Sequence, residues 1–326
     1  MSRCIQLTIG IPTYNRAGLL AEQLNRLSQE GLGDEVEILV SDNASLDSTV
    51  EIAESFRERM GRHFVVATNE RNAGFDGNIF TLYKKARGRY LWFLSDDDSF
   101  FPGTVARLLQ IVRTEKDCGL IALPGFNMLP YESHEGGHII QLLPWSPTGN
   151  AISVVLGQRF RLTANEFERF GLISAASQIS HCVVRRGASI DNAERGGGVL
   201  QSRIANLNLL SEPHYYILPE PAIKQGDWTE VSNTFMESTL FGIRELYSSA
   251  DMQFSREVVD FASVQNCLFA IRLLRAHYAG ENPTRINFPS VGRGFADRLM
   301  RLFGGAYHQL DSAVEDLLDV AKQHQR

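Results

Sequence analysis

Between Leu7 and Leu94 the chain alternates short apolar runs with apolar stripes at helical spacing, and this alternation constrains the fold more than any other feature. Residues 7–11 read as a strand stopped by Pro12, and Leu20, Leu24 and Leu27 then recur on one helix face. Val36, Ile38 and Val40 alternate as in a strand, and Asp47 is placed to cap a helix bearing Val50, Ala53 and Phe56. Residues 64–67 read as a third strand. Ile79, Leu82, Tyr83 and Ala86 line a third helix that Gly88 would close. Residues 90–94 are almost wholly apolar, as a central strand buried on both faces must be. Such alternation predicts an α/β fold: a mainly parallel sheet with helices on both faces. Ligands of such sheets bind beyond the carboxyl ends of the strands. There each expected strand is followed by polar residues: Thr13-Tyr14-Asn15-Arg16, Ser41-Asp42-Asn43, the stretch from Asn69 to Asn78, and Ser95-Asp96-Asp97-Asp98. Four loops should converge on one crevice.

Further on, the pattern loosens. Residues 128–150, with Gly136-Gly137, read as a long loop or lid, and residues 179–184 as a further strand. Gly196-Gly197-Gly198 breaks the chain before a helix at 201–210. Helical stretches are expected near 235–248, 256–278 and 295–322. This predicts one α/β domain over residues 1–225 and a helical C-terminal region over 226–326. With 32 basic against 38 acidic side chains, the chain lacks the positive footprint of a nucleic-acid binder. No window approaches the roughly 20 apolar residues of a membrane span, and Met1 to Gly10 is too short and polar for a signal peptide. A soluble or peripheral protein is expected. Cys4, Cys118, Cys182 and Cys267 are far apart, which fits reduced thiols of a cytoplasmic protein.

The sharpest chemical signal is Asp96-Asp97-Asp98. Three adjacent carboxylates after a buried strand repel one another, so something cationic should offset them. Mg²⁺ or Mn²⁺ binds through one or two carboxylates completed by substrate phosphates, and such an ion would neutralise a departing nucleotide diphosphate. The plainer reading is an acidic turn capping the helix that starts near Pro102. Asp42 can accept hydrogen bonds from a base edge or a ribose hydroxyl, or simply form an Asx-turn. Tyr14 can stack on a base or merely pack. The stretch from Asn72 through Gly74 to Asn78 offers glycines for close backbone approach and amides for hydrogen bonding, or a loop with Asp76 as helix cap. The first strand is followed by no Gly-x-Gly-x-x-Gly, and no P-loop lysine motif is present, which argues against a nicotinamide dehydrogenase and a P-loop NTPase.

Taken together, four blocks resemble a family 2 glycosyltransferase of the GT-A (Rossmann-like) fold. They are Ile9-Gly10-Ile11-Pro12-Thr13-Tyr14-Asn15-Arg16, Val40-Ser41-Asp42-Asn43-Ala44-Ser45-Leu46-Asp47-Ser48-Thr49, Asn72-Ala73-Gly74 with Asn78, and Gly88-Arg89-Tyr90-Leu91-Trp92-Phe93-Leu94-Ser95-Asp96-Asp97-Asp98. The resemblance covers about the first third of the chain and is nearest to the bacterial surface-polysaccharide, abequosyltransferase-like branch. It implies a nucleotide-sugar half over 1–130 and an acceptor half over 131–225. Pro12, Thr13, Tyr14 and Asn15 would border the nucleoside, Asp42 would hold the base, and Asn72, Gly74 and Asn78 would line the donor. Asp96 and Asp98 would form the metal-binding Asp-x-Asp pair, and Asp97 would lie beside ribose and phosphates. Ser95 stands where many members carry aspartate, which leaves the choice of metal ligand open.

The resemblance further implies transfer of a sugar from a nucleotide-diphosphate sugar to a glycan or lipid-linked glycan hydroxyl. Members usually supply a general base from a downstream Glu-Asp pair, which is missing here. Asp191 is the nearest candidate, with Glu194 beside it, and both also suit a turn. His181 is a second candidate base, or a hydrogen-bonded core histidine. Arg185 and Arg186 could clamp phosphate or form a basic turn. Residues 293–303 mix Arg293, Arg298 and Arg301 with Phe295, Leu299, Leu302 and Phe303. That amphipathic pattern suits packing on the protein's own core or on a second copy, or peripheral contact with the inner face of the cytoplasmic membrane. Two other functions remain in play: a non-catalytic nucleotide-sugar-binding scaffold, and a sugar nucleotidyltransferase. The second lacks its glycine- and arginine-rich loop after the first strand.

Overall fold

The computed structural model describes residues 4–61, 63–115, 117–127, 138–139, 159–162, 166–175, 179–190, 200–220, 222–224, 230–231, 243–280, 285–286, 297–299 and 308–324. They fall into two compact units, one covering the chain up to Met128 and Gly136–Gly226, the other following from Asp227.

The strands of the first unit are β1 (Leu7–Thr13), β2 (Val36–Asp42), β3 (Phe64–Thr68), β4 (Tyr90–Phe93), β5 (Ser99–Phe100), β6 (Leu120–Ala122), β7 (Gly125–Asn127), β8 (His138–Ile139), β9 (Arg159–Arg161), β10 (Cys182–Arg185), β11 (His214–Ile217) and β12 (Ile223–Lys224). Its helices are α1 (Ala17–Ser28), α2 (Thr49–Ser55), α3 (Arg57–Met60), α4 (Gly74–Lys85), α5 (Thr104–Thr114), α6 (Glu166–Ala175) and α7 (Leu200–Ser211). Eight strands form the main sheet in the order β3-β2-β1-β4-β10-β6-β11-β9. β1, β2, β3 and β4 run parallel, as does β11 to β6. β10 runs antiparallel to β4 and β6, and β9 to β11. The sheet is thus mainly parallel, as expected, with two reversed strands. A smaller sheet pairs β5, β12, β7 and β8.

Both faces of the sheet carry helices. Leu7, Ile9 and Ile11 share one buried cluster with Leu20, Leu24 and Leu27 of α1 and with Val105, Leu108 and Val112 of α5. Each such side chain contributes about 1.5–3 kcal/mol on burial. The intervening residues of β1 face α4: a Cβ on Gly10 would lie 3.2 Å from Leu82 Cδ2.

The chain leaves β3 on one side of β1 and re-enters the sheet as β4 on the other. That places a topological switch point between β1 and β4, where open α/β sheets bind ligands. Pro12 helps to open it. β1 does not stop at Pro12 but continues to Thr13, paired to β2 throughout. Leu94 N–H donates to Gly10 C=O at 2.9 Å. Two residues later Pro12 faces the same side with no N–H to offer, so the β1–β4 ladder ends there without a lost donor.

Three local expectations need correction. Gly88 does not close α4 as a left-handed cap, since Ala86 fills the C-cap position. Gly88 is required by close approach: a Cβ there would sit 2.4 Å from Thr8 N and 2.8 Å from Leu7 C. Around it, buried Glu37 accepts hydrogen bonds from Thr8 Oγ1 (2.7 Å) and Arg87 N–H (2.8 Å) and pairs with the Arg87 guanidinium. Thr8 Oγ1 in turn accepts Gly88 N–H at 2.8 Å. The N-cap of α2 is Ser48, not Asp47, although Asp47 Oδ1 accepts Thr49 N–H at 3.0 Å. The strand expected over 179–184 begins only at Cys182, because Ile179–His181 form a 3-10 turn.

His181 lies in that turn, buried, with Nδ1 2.9 Å from Leu123 O, so Nδ1 carries the donated proton. Burial lowers its pKa from 6.5 to about 4, partly offset by that hydrogen bond. This is the core reading of His181. Arg185 pairs with Glu212 at 2.6 Å, and Arg186 donates to Gly88 C=O at 3.1 Å. Arg185 is in register with Tyr90, at the amino end of β4, far along the strand from the acidic triplet.

In the second unit, α8 (Ile243–Ser248), α9 (Arg256–Tyr278) and α10 (His308–His324) are described. Cys267, Ile271 and Leu274 of α9 bury against Leu310, Val314 and Leu317 of α10, with Arg275 Nε 2.5 Å from Asp316 Oδ2. Of the amphipathic stretch 293–303 only 297–299 are described, and there Leu299 joins this core. No helix among the described residues is long and apolar enough to cross a membrane.

Two stability measurements follow. Gly88→Ala should cost about 1–3 kcal/mol in urea unfolding. Gly33→Ala, where a Cβ meets nothing within 4 Å, should stay within about 0.5 kcal/mol. Equal effects would contradict the close-approach explanation. For His181 the native state holds the neutral ring, so its stabilising contribution is present above pH 6.5 and lost as pH falls towards 4. Wild type should lose about 3 kcal/mol more than His181→Asn between pH 7 and 4. Parallel pH curves would show that His181 is not buried neutral.

Candidate functional site

The site begins with the cost of burying charge. Asp96 and Asp98 are buried after β4, while Asp97 between them is partly exposed. Their turn is held by its backbone. Gln23, fully buried on α1, donates from Nε2 to Ser95 C=O at 2.6 Å and to Asp98 C=O at 2.7 Å. Ser95 N–H donates to Ser180 Oγ at 2.9 Å. The 3-10 turn and α1 therefore fix the acidic turn from two sides.

Across the switch point Thr13 Oγ1 donates to Asp96 Oδ2 at 2.8 Å. Arg16 Nη1 lies 2.8 Å from Asp96 Oδ1 and 2.9 Å from Asp97 Oδ2. Burial raises the pKa of Asp96, with Asp97 adding like-charge repulsion and Arg16 opposing the shift. For Arg16 burial works against the charge, but the two carboxylates outweigh it and raise its pKa. For Asp96 and Asp97 the offsetting cation is, in the protein itself, Arg16.

Asp42 ends β2 and is fully buried. Oδ2 accepts Ser45 N–H at 3.1 Å, the Asx-type bond of the loop. Oδ1 has no hydrogen-bond partner among the described residues. A buried carboxylate oxygen left unpaired is costly, so it marks a place where a ligand's donor would be favourable. Turn-forming and ligand-binding chemistry thus fall on different oxygens of one side chain.

The asparagines mostly tie the loops to one another. Asn78 Nδ2 donates to Thr13 C=O (3.3 Å) and Ser41 C=O (3.0 Å), and its Oδ1 accepts from Ser41 Oγ at 2.6 Å. Asn72 Oδ1 accepts from Asn43 Nδ2 (2.8 Å) and Gly74 N–H (2.9 Å). Asn15, with φ of +52°, accepts Leu46 N–H on Oδ1 at 2.7 Å. Asp76 does not cap its own helix; its Oδ1 accepts the N–H of Leu200, the first residue of α7, at 2.9 Å. Tyr14 stays 39% exposed at the rim, free to meet a planar ligand. Asp191, Glu194 and the three glycines after them lie outside the described residues.

Sequence reasoning passed over Arg16, Gln23, Asn43 and Ser180. Arg16 could have been found from charge balance, since it is the one cation in the two loop blocks that follow β1 and β4 and carry the acidic triplet. Gln23 and Ser180 act on backbone atoms, and no motif announces that.

Among the described residues no three His, Cys, Asp or Glu side chains converge into a ready-made metal cage. Hard carboxylate oxygens at a turn that already holds one cation nonetheless suit Mg²⁺ or Mn²⁺, which need only one or two carboxylates when phosphates complete the shell.

Comparison with known proteins agrees with this geometry. A Salmonella typhimurium protein named abequosyltransferase RfbV is 34% identical over 108 residues, 33% of this chain and 32% of that protein. The match thus spans about a third of that relative's length. The solved structure of S. aureus TarS 1–349 in complex with UDP-GlcNAc superposes with a TM-score of 0.54 at 13% identity, over 98% of this chain and 92% of that one. The mannosyltransferase PcManGT from Pyrobaculum calidifontis, solved with GDP-Man and Mn²⁺, gives a TM-score of 0.52 at 13% identity, over 99% and 88% of the two chains. These structures share the GT-A fold. The sequence model described as glycosyl transferase family 2 matches residues 8–172, half of the chain, and the protein belongs to that family.

Proposed function

We propose that the protein transfers a sugar from a nucleotide-diphosphate sugar to the hydroxyl of a glycan or lipid-linked glycan in bacterial surface-polysaccharide synthesis. The observation that carries this reading is the meeting, at one switch point, of the unpaired Asp42 Oδ1 with the acidic turn. A base or ribose donor would satisfy Asp42 Oδ1, and Tyr14 would cover the base. Asp96 and Asp98 would hold a Mg²⁺ or Mn²⁺ ion, with Asp97 towards the ribose and phosphates. When bound, that ion supplies charge stabilisation for the leaving diphosphate. Thr13 orients the Asp96 carboxylate, and Gln23 and Ser180 hold the backbone of the turn that carries it, so the acids are positioned before the donor binds. Pro12 and Asn15 shape the loop against the nucleoside, while Asn72, Gly74 and Asn78 brace the floor beneath it. The acceptor proton goes to a carboxylate, for which we nominate Asp191. A lipid-linked acceptor would bring the protein to the inner face of the cytoplasmic membrane.

One observation favours a second reading, a nucleotide-sugar-binding protein without turnover. Arg16 already gives Asp96 and Asp97 a cation within the protein, so the turn can be held together without a metal.

Transfer assays with point variants separate the two. Asp98→Asn should keep the fold by circular dichroism and lower turnover at least ~100-fold. Asp42→Asn should weaken nucleoside-diphosphate binding about 10- to 100-fold in calorimetry. Full turnover in Asp98→Asn would remove the metal role. Nucleotide binding by wild type with no transfer to any acceptor would support the binding protein.

A further inference from the structure

Arg16 occupies the N-cap position of α1, where the helix macrodipole disfavours a cation, and no acidic residue in the first turn compensates it. Its side chain is 46% exposed, yet it reaches over the crevice to two carboxylates. Both contacts use one nitrogen, Nη1. Nε and Nη2 make no hydrogen bond among the described residues, which leaves two of the three guanidinium nitrogens available to a ligand. A residue needed only to neutralise Asp96 would be expected to be buried with it and to use its fork bidentately.

We propose that Arg16 is an exchangeable counter-cation: it holds Asp96 and Asp97 while no donor is bound, yields them to the divalent cation, and then binds the donor's diphosphate. This deepens the donor-site reading above and rests on it. The physical reason is charge. Arg16 brings one positive charge to two carboxylates, Asp96 and Asp97, so that pair still attracts a second cation. Once a divalent ion sits there, it repels the guanidinium at contact distance. The diphosphate brought with the ion is the nearest anion, and a planar guanidinium fork suits phosphate oxygens. No covalent bond changes. The two hydrogen bonds from Nη1 break, and ion–carboxylate and guanidinium–phosphate contacts replace them.

The exchange has a signature that a structural role lacks, namely opposite signs for two ligands. With Mn²⁺ alone, titrated by electron paramagnetic resonance, Arg16→Gln should bind the ion roughly 5- to 10-fold more tightly than wild type, because the competing cation is gone. With Mn²⁺ saturating, UDP or GDP should bind the same variant about 10-fold more weakly in calorimetry, because the diphosphate has lost a charged donor. Arg16→Lys keeps the charge without the fork and should lie between the two on both measurements. Unchanged or weaker Mn²⁺ binding in Arg16→Gln would overturn the proposal, as would unchanged nucleotide affinity. If wild type binds neither Mn²⁺ nor a nucleotide, and Asp98→Asn behaves identically, the donor-site reading itself fails. Circular dichroism of both Arg16 variants checks that loss of binding is not loss of fold.

Discussion

Asp96 places a carboxyl group in the protein interior, and much of the surrounding structure is arranged around that cost. Burial pushes its proton affinity up, and Asp97 next to it pushes further. Against this stand two partners from the β1 loop, the Thr13 hydroxyl and the Arg16 guanidinium, one on each carboxylate oxygen. Neither can reach Asp96 unless β1 and β4 are neighbours and both continue past their shared ladder. The parallel register of β1 with β4, ending at Gly10 and Phe93, provides that. Pro12 ends the ladder on the correct side, and Gly88 lets β4 enter close beneath β1.

The same economy of position explains Asp42. β2 lies on the other flank of β1, in register from Val36 to Asp42, so its last residue arrives beside Thr13. The loop satisfies one oxygen of Asp42 and leaves the other buried and unpaired. The asparagines at 43, 72 and 78 close the floor by bonding mainly to one another, to backbone carbonyls and to Ser41. A floor with one unpaired acceptor, beside a charged turn with one half-exposed cation, is suited to a ligand that has hydrogen-bond donors at one end and negative charge at the other.

Much of this was legible in the sequence, for identifiable reasons. The apolar period of residues 7–94 gave the strands, the helices and their order, because each buried face follows from spacing alone. The convergence of Asp42 and Asp96 followed from the rule that ligands sit at carboxyl ends. What escaped were interactions with no period. Gln23 and Ser180 hold backbone atoms of a distant turn, and the antiparallel pairing of β10 with β4 and β6 leaves no mark on the spacing of its apolar residues. Gly88 looked like a helix cap because the sequence shows its place after α4 but not the strand β1 packed 2.4 Å from its absent side chain. Asn15, Asn72 and Asn78 were read as ligand contacts. Their amides are largely engaged within the protein, since a polar residue at a loop does not declare which side of the loop it faces.

The central claim is that metal and nucleotide are bound together at the β1–β4 switch point. Melting temperature tests it most directly, measured with UDP, GDP and CDP, each with Mn²⁺, with Mg²⁺ and with chelator. The account predicts a rise of roughly 5–10 °C at about 100 times the dissociation constant, seen only when metal and one nucleotide are both present, and absent in Asp98→Asn. An equal rise in chelator, or no rise with any nucleotide, would contradict it.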